Sequence, residues 1–264
     1  MGDENIRLAI DKALVDVERE EDVRVCLAVE SGSRAWGFPS ADSDYDVRFI
    51  YVHRQQWYLS IDLEARPDTI ERPLVGVLDI SGWDVRKALK LFRKSNPPIL
   101  EWLQSPIVYR QAGSLANALR DRLPSFYSPR ACAFHYWHMA QGNLREYLQG
   151  EVVWRKKYLY VLRPLLALRW IAQARGPVPM EFDRLVDSTV PEPDVKDAIV
   201  QLVAAKVAGA ELDRAPRIGA ISDFIEREMA RIEDTVGDAP PACAEADLDG
   251  VFQLLLREAW QEPG

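Results

Sequence analysis

Two aspartates separated by one residue, Asp44 and Asp46, follow the pair Gly32 and Ser33 after ten intervening residues. An apolar run precedes the Gly-Ser pair and another follows the aspartates, and their β-branched and aromatic content is typical of strands. Because residues two apart in a strand point the same way, Asp44 and Asp46 are expected to face one site. Two carboxylates at such a short distance repel each other, and a bound cation such as Mg²⁺ removes the energetic cost of that repulsion. A small-residue turn beside such a pair can hold a polyphosphate next to a divalent metal ion.

A third carboxylate is needed if this site transfers a phosphoryl or nucleotidyl group. Two metal ions about 3.5–4 Å apart position the attacking and leaving oxygens, and the third carboxylate completes the metal nearer the acceptor hydroxyl. Asp79 suits this role, because it lies on the period-two face of an apolar segment, residues 74–80, that is predicted to be a strand. Asp62 and Asp84 are weaker candidates, since Asp84 is expected in the first turn of a helix capped by Ser81.

The spacing of apolar residues changes character along the chain. In the first part it predicts a helix over 5–18, strands over 23–29, 47–52 and 74–80, and a helix after Ser81 that ends before Pro97. From residue 114 onward it predicts helices over 115–123, 129–148, 151–175, 193–208, 220–235 and 247–260, separated by proline-containing breaks. We therefore expect a mixed α/β part to about residue 105, followed by an all-helical part.

Composition and charge exclude several classes of protein. The 264 residues are 48% hydrophobic and 28% charged, as in ordinary globular proteins. No apolar run is long enough for a membrane span, and the acidic N-terminus lacks a signal-peptide core. Three distant cysteines indicate reduced thiols, so a cytoplasmic location is expected. The net charge of −8 argues against broad nucleic-acid binding, although a local basic channel stays open.

The Gly-Ser pair, the two aspartates and the later strand carboxylate resemble the nucleotidyltransferase superfamily with the DNA-polymerase-β-type palm. More narrowly, the chain is similar to a bacterial and phage family of predicted nucleotidyltransferases linked to RNA repair by gene context. The similar segments are SGSRAWGFPSADSDYDVRFIY, DISGWDVRKAL, NPPILEWLQSP and KKYLYVLRPLLALRW, which cover most of residues 24–172. The resemblance implies an α+β fold: a nucleotidyltransferase palm, with a mixed sheet and helices, over residues 1–110, then an all-helical domain over 111–264.

The resemblance also implies roles for the site residues. Gly32 and Ser33 would contact the β- and γ-phosphates of the nucleotide through backbone N–H and hydroxyl groups. Asp44 and Asp46 would bind two Mg²⁺ (or Mn²⁺) ions. Asp79 would bind the catalytic ion and assist deprotonation of the acceptor.

Three cations are candidates for binding the same nucleotide. Arg34 follows Ser33 and is expected either to reach a phosphate or to pair with a nearby aspartate. Lys156 and Lys157 belong to the best basic and aromatic cluster of the helical part. A helical-domain lysine that faces the triphosphate is common in this superfamily, so either lysine is a candidate. The alternative for both is an ordinary solvated cationic face.

The expected reaction is attack of an acceptor hydroxyl on the α-phosphate of an NTP, with pyrophosphate leaving. An RNA end is the favoured acceptor, for repair or tailing. A protein side chain, a small molecule or a second nucleotide stays open as the acceptor. The rival from another class is a non-catalytic nucleotide-binding or toxin-neutralising protein, and the intact set of site residues argues against it. No membrane partner is expected, and the sequence names no protein partner.

Overall fold

The computed structural model describes residues 3–209, 213–233 and 248–261. The strands in these residues are β1 (Val23–Glu30), β2 (Tyr45–His53), β3 (Thr69–Glu71), β4 (Leu78–Asp84), β5 (Val108–Gln111), β6 (Val152–Trp154) and β7 (Arg214–Pro216). The helices are α1 (Asp3–Glu21), α2 (Gly32–Trp36), α3 (Gln55–Tyr58), α4 (Val85–Arg93), α5 (Pro97–Gln104), α6 (Leu115–Phe126), α7 (Pro129–Tyr147), α8 (Tyr158–Ala172), α9 (Phe182–Thr189), α10 (Pro193–Val207), α11 (Gly219–Glu233) and α12 (Leu248–Ala259).

Five strands form one mixed sheet in the order β3-β4-β2-β1-β5. β2 and β4 are parallel, and every other neighbouring pair in this sheet is antiparallel. Helices make up most of the chain after β5. The α+β class, with a mixed-sheet palm followed by helices, is therefore confirmed, with one addition: β6 and β7 form a small antiparallel sheet within the helical part.

The two faces of the large sheet pack against different parts of the chain. On β2, Val47 and Phe49 are fully buried against helix α1, where Leu14 belongs to the same apolar cluster. Ile50 and Val52 point to the opposite face and join the core that continues through the later helices. Because strand side chains alternate, the even-numbered positions of β2 face the helical part of the chain.

The third strand lies further along the chain than the sequence predicts. It is β4 rather than 74–80, because the apolar run is interrupted by a tight turn. In that turn the Leu78 N–H donates to the Val75 carbonyl oxygen at 3.1 Å, and Gly76 has a φ of +62°. Asp79 consequently lies near the beginning of its strand and not near its end.

Helix α4 begins after Asp84, so the predicted cap at Ser81 is wrong. Ser81 stays within β4, because the parallel pairing with β2 continues to Asp84. The Asp84 carboxylate caps the helix by accepting the Arg86 N–H at 2.8 Å, and the Tyr58 hydroxyl donates to it at 2.7 Å. Burial raises the pKa of Asp84 to about 6, against the effect of these hydrogen bonds.

The helical part follows the predicted helices with two exceptions. The prediction for 151–175 is wrong at its beginning, because β6 pairs with β7 there and residues 155–157 form a 3₁₀ turn before α8. Helix α9 was not predicted, since it has only eight residues and follows a proline-containing break. One apolar core joins the second face of the sheet to these helices, and the domain boundary at 110/111 stays a prediction.

A buried ion pair connects helices α5, α7 and α8. Arg163 of α8 donates to Oε1 of Glu101 on α5 at 2.7 Å, and the Tyr136 hydroxyl of α7 donates to the same oxygen at 2.7 Å. Arg163 is only 2% exposed. Its guanidinium also lies 4.8 Å from the ring centroid of Trp36, the last residue of α2. The pair therefore links the helical part to the segment that carries the Gly-Ser motif.

Among the residues whose structure is described, no helix combines the length and the apolar character needed to cross a membrane. Cys26 and Cys132 are buried free thiols, and burial raises the pKa of each to about 12. Cys243 lies outside the described residues.

Breaking the buried ion pair is expected to destabilise the protein strongly. Arg163→Met leaves the Glu101 carboxylate buried without its cation, which costs about 3–5 kcal/mol of unfolding free energy. The double variant Glu101→Gln/Arg163→Met should regain most of this loss. Urea denaturation measures the unfolding free energy of the single and the double variant. Arg19→Met is the control, because Arg19 pairs with Asp16 on the surface. This control should change the unfolding free energy by less than about 1 kcal/mol. A loss of that small size for Arg163→Met would contradict the structural role of the pair.

Candidate active site

The Gly-Ser pair begins helix α2 directly after β1. Gly32 has a φ of +60°, a left-handed conformation that glycine adopts without strain. A Cβ at this position would lie 2.1 Å from Oδ2 of Asp46, so a side chain would fit there only if the Asp46 carboxylate moved. The Ser31 N–H donates to the Asp46 carbonyl oxygen at 2.9 Å, and Ser33 is 8% exposed. The turn and the second aspartate of the motif are therefore in direct contact.

Asp46 and Asp79 face each other across two parallel strands. They are register partners in the pairing of β2 with β4, and both lie on the sheet face that looks toward the helical part. Arg48, two residues further along β2, donates to Asp46 Oδ1 at 3.2 Å and to Asp79 Oδ2 at 2.8 Å. The structure thus brings two of the three predicted carboxylates together, with the Arg48 guanidinium between them.

Asp44 is exposed and immediately precedes β2. Its charge is close enough to contribute to the raised pKa of Asp46. Over residues 3–209, 213–233 and 248–261, no three His, Cys, Asp or Glu side chains are grouped so that they would hold a metal ion. A ligand set of Asp44, Asp46 and Asp79 therefore stays a prediction. Asp46 and Asp79 both accept hydrogen bonds from the Arg48 guanidinium. Their carboxylate oxygens are nevertheless the kind of ligand that Mg²⁺ prefers.

Arg34 fixes the loop that leads into β2. Its Nε donates to the Asp44 carbonyl oxygen at 3.1 Å, and a terminal nitrogen donates to the Ser43 carbonyl oxygen at 2.8 Å. Its guanidinium also lies 3.6 Å from the ring centroid of Tyr45. The side chain therefore contacts the backbone of the aspartate motif and an aromatic ring, and a role in binding phosphate stays a prediction.

Glu30, the last residue of β1, is fully buried and bonded to the backbone of Asp46. Its Oε1 accepts the Asp46 N–H at 2.8 Å, and the Tyr109 hydroxyl donates to its Oε2. Burial raises the pKa of Glu30 to about 7, although both hydrogen bonds act against this shift. Burial also raises the pKa of Asp46, and the charge of Arg48 opposes that change. Acidic groups are thus crowded at this corner of the sheet, which raises the free energy of their charged forms.

The helical part places aromatic and basic side chains near these acids. Burial raises the pKa of Tyr160 on α8, and the charges of Asp46 and Asp44 raise it further, so Tyr160 lies close to the aspartate motif. The Lys157 ammonium lies 4.6 Å from the Tyr160 ring centroid. Lys157, one of the two predicted lysines, is therefore held by an aromatic ring that faces the site.

Lys206, near the end of α10, is a cation that sequence reasoning missed. Its ammonium donates to the Phe38 carbonyl oxygen at 3.0 Å, just after the Gly-Ser helix. Burial lowers its pKa, the charge of Asp42 opposes this, and the charges of Arg34 and Lys156 add to it. Arg34, Lys156 and Lys206 therefore form a group of positive charges around the loop before the aspartate motif.

Glu30 and Arg48 were also missed, although the sequence contained a signal for each. Arg48 is two residues after Asp46, so the period of two already placed it on the same strand face. Glu30 directly precedes the small-residue turn and follows an apolar run. No local signal existed for Lys206, because it is 168 residues from its partner Phe38.

A small-residue turn packed against a mixed sheet, with carboxylates on neighbouring strands that face a helical half, defines a nucleotidyltransferase-like protein. The model of the RNA repair pathway DNA polymerase beta family matches residues 6–255. The chain therefore belongs to that family, which confirms the resemblance seen in the sequence.

Two further proteins are similar over most of their length. YcgL of Bacillus subtilis (strain 168), described as an uncharacterized protein, is 46% identical over 250 residues, which is 94% of this chain and 95% of that protein. A crystal structure of a nucleotidyltransferase-like protein from Exiguobacterium sibiricum 255-15 aligns with 94% of this chain and 88% of its own, with 10% identity and a TM-score of 0.32.

The contact between Gly32 and Asp46 predicts a specific effect of adding one methyl group. Gly32→Ala should destabilise the protein by the left-handed backbone penalty of about 1–2 kcal/mol plus at least about 1 kcal/mol for displacing the Asp46 carboxylate. Gly76→Ala is the matched control, because its φ is +62° but an added Cβ there meets nothing within 4 Å. Urea denaturation compares the two variants. Equal losses would show that the close approach to Asp46 has no energetic consequence.

The raised pKa of Glu30 predicts a pH-dependent stability. Its pKa is about 7 in the folded protein against 4.5 ordinarily, so the folded state holds more protons between these values and stability falls as pH rises through this window. Glu30→Gln should remove up to about 3 kcal/mol of that fall. In this variant the unfolding free energy should fall less steeply with pH, but it should still fall, since Asp46 and Asp84 also have raised pKa values.

Urea denaturation between pH 5 and pH 8 measures this effect. Glu71→Gln, which removes an exposed glutamate from the same sheet, controls for the loss of one charge. Parallel stability curves for Glu30→Gln and the wild-type protein would show that Glu30 ionises normally.

Proposed function

We propose that this protein is a metal-dependent nucleotidyltransferase that moves an NMP from an NTP to an acceptor hydroxyl and releases pyrophosphate. The observation that carries the proposal is the facing of Asp46 and Asp79 across β2 and β4, beside the Gly32 turn. Two carboxylates on adjacent strands next to a small-residue turn suit a divalent metal bound to a polyphosphate. Membership of the RNA repair pathway DNA polymerase beta family supports the same reaction class.

The acidic side chains beside the Gly32 turn would have different roles in the reaction. Asp46 and Asp79 would hold Mg²⁺ or Mn²⁺, with Asp44 as the third ligand, and the bound metal would neutralise charge on the transferred phosphorus. Asp79 would also accept the proton of the attacking hydroxyl, because it is the more exposed of the two facing carboxylates.

The triphosphate would lie between the turn and the helical part. Gly32 and Ser33 would contact the β- and γ-phosphates through backbone N–H and hydroxyl groups. Lys156, Lys157 and Lys206 would supply positive charge from the opposite wall, where the first and the last of them are electrostatic neighbours.

The acceptor in this proposal is an RNA end, in repair or tailing. The support is the family, whose description places it in an RNA repair pathway. A protein as the acceptor and a non-catalytic nucleotide-binding role are outcomes that the experiment below separates from this one, and a small molecule stays an alternative acceptor. A cytoplasmic location belongs to the same proposal.

Transfer of label from α-labelled NTPs tests the proposal directly. Each NTP is incubated with the protein, Mg²⁺ or Mn²⁺, and RNA, DNA or no acceptor, and label is expected on RNA. Asp46→Asn and Asp79→Asn should each lower the rate at least about 100-fold, because each removes a charge that the transition state needs. Asp22→Asn should leave the rate unchanged, since this exposed residue has a φ of +48° that asparagine tolerates and lies away from the site.

The pattern of label distinguishes the alternatives. Label on the protein itself would favour nucleotidylation of a protein over an RNA end. No transfer from any NTP, with NTP binding retained, would favour the non-catalytic reading and would contradict the enzyme proposal.

A further inference from the structure

The guanidinium of Arg48 lies where the two facing carboxylates converge. One terminal nitrogen donates to Asp79 Oδ2 at 2.8 Å and to Asp46 Oδ1 at 3.2 Å. The other donates to the carbonyl oxygens of Asp79 at 3.1 Å and Val47 at 3.2 Å. The side chain is 20% exposed. Four contacts with the two strands therefore hold this positive charge in one place.

These contacts engage one of the two oxygens of each carboxylate to which a divalent ion would bind. A carboxylate oxygen that accepts a short hydrogen bond from a guanidinium is not free to coordinate a metal with full strength. The positive charge of Arg48 also repels an approaching cation at short range. Two facing carboxylates without any cation would repel each other, and the Arg48 guanidinium offsets that repulsion.

We propose that Arg48 is the built-in counter-ion of this site and competes with the divalent metal for Asp46 and Asp79. This inference rests on the proposed function, because it takes these carboxylates to be metal ligands. Metal alone then binds weakly, since it must displace the guanidinium. A metal–nucleotide complex binds better, because its phosphates supply further oxygen ligands and offer the released guanidinium a new anionic partner. Arg48 is thus a positioning residue that couples metal binding to nucleotide binding.

The affinity for Mn²⁺ without nucleotide tests this role independently of activity. The electron paramagnetic resonance signal of free Mn²⁺ is titrated with the full-length protein. Arg48→Met should bind Mn²⁺ about tenfold or more tightly than the wild-type protein, because the competing charge is gone while the side-chain length is kept. Arg48→Lys should fall between them, since a lysine keeps the charge but cannot bridge both carboxylates in the same way.

Arg110→Met is the matched control. Arg110 lies on β5 of the same sheet, is 21% exposed and contacts the carboxylates of Glu18 and Asp11 at 3.1 Å and 3.6 Å. Removing it takes away a similar charge from a similar environment, and Mn²⁺ affinity should not change. Adding Asp46→Asn to Arg48→Met should abolish the gained affinity, which assigns the bound ion to this site.

Thermal unfolding gives a second readout. With EDTA, Arg48→Met should unfold at a lower temperature than the wild-type protein, because Asp46 and Asp79 are left without a cation. Mn²⁺ should raise its unfolding temperature by more than it raises that of the wild-type protein.

The outcomes separate this inference from the proposed function. Mn²⁺ affinity of Arg48→Met equal to or below that of the wild-type protein would overturn the inference, even if the wild-type protein transfers label. Tighter binding that depends on Asp46, in a protein that transfers no label from any NTP, would support the inference while contradicting the enzyme proposal.

Discussion

Electrostatic repulsion between acidic side chains at one corner of the sheet is the constraint around which this structure is organised. Glu30 ends β1, while Asp46 and Asp79 lie side by side near the beginnings of β2 and β4. The protein tolerates this crowding in three ways: Glu30 has a raised pKa, Arg48 bridges the other two, and Gly32 leaves room for the Asp46 carboxylate. The first and the third act on a single carboxylate, and Arg48 acts on two. A ligand with positive charge is the natural complement of such a corner.

The helical part is coupled to this corner through aromatic and cationic contacts. The Arg163 guanidinium, paired with Glu101 in the core, lies over Trp36 at the end of α2. Trp36 in turn packs edge-on against Tyr160, with ring centroids 5.8 Å apart. A shift in the position of the helices can therefore be transmitted to the Gly-Ser turn through only a few side chains. Because breaking a buried ion pair is strongly destabilising, the Arg163–Glu101 pair helps to hold the helices in place opposite the acids.

Local patterns in the sequence were sufficient for the strand faces and most helices, because alternation and helical periodicity depend on neighbours in the chain. The segment 47–52 was predicted to be a strand, for instance, and it lies within β2. The start of β4 was not predictable in this way, since it depends on the Gly76 turn and on pairing with a strand that is remote in sequence. The position of Lys206 was not predictable for the same reason, since its partner Phe38 is remote in sequence. The roles of Asp44 and Arg34 at the site stay predictions.

The parallel register of β2 and β4 has a consequence for how this chain can vary in length. Asp46 and Asp79 are neighbours because of strand pairing, and the segment between the strands does not determine their separation. Insertions or deletions in the loop before β3 are therefore compatible with the site. A one-residue shift in the pairing register of β4, by contrast, would turn Asp79 toward helix α1 and bury a charge among apolar side chains. A change in the length of that loop therefore leaves the pairing of Asp46 with Asp79 intact, whereas a shift in strand register does not.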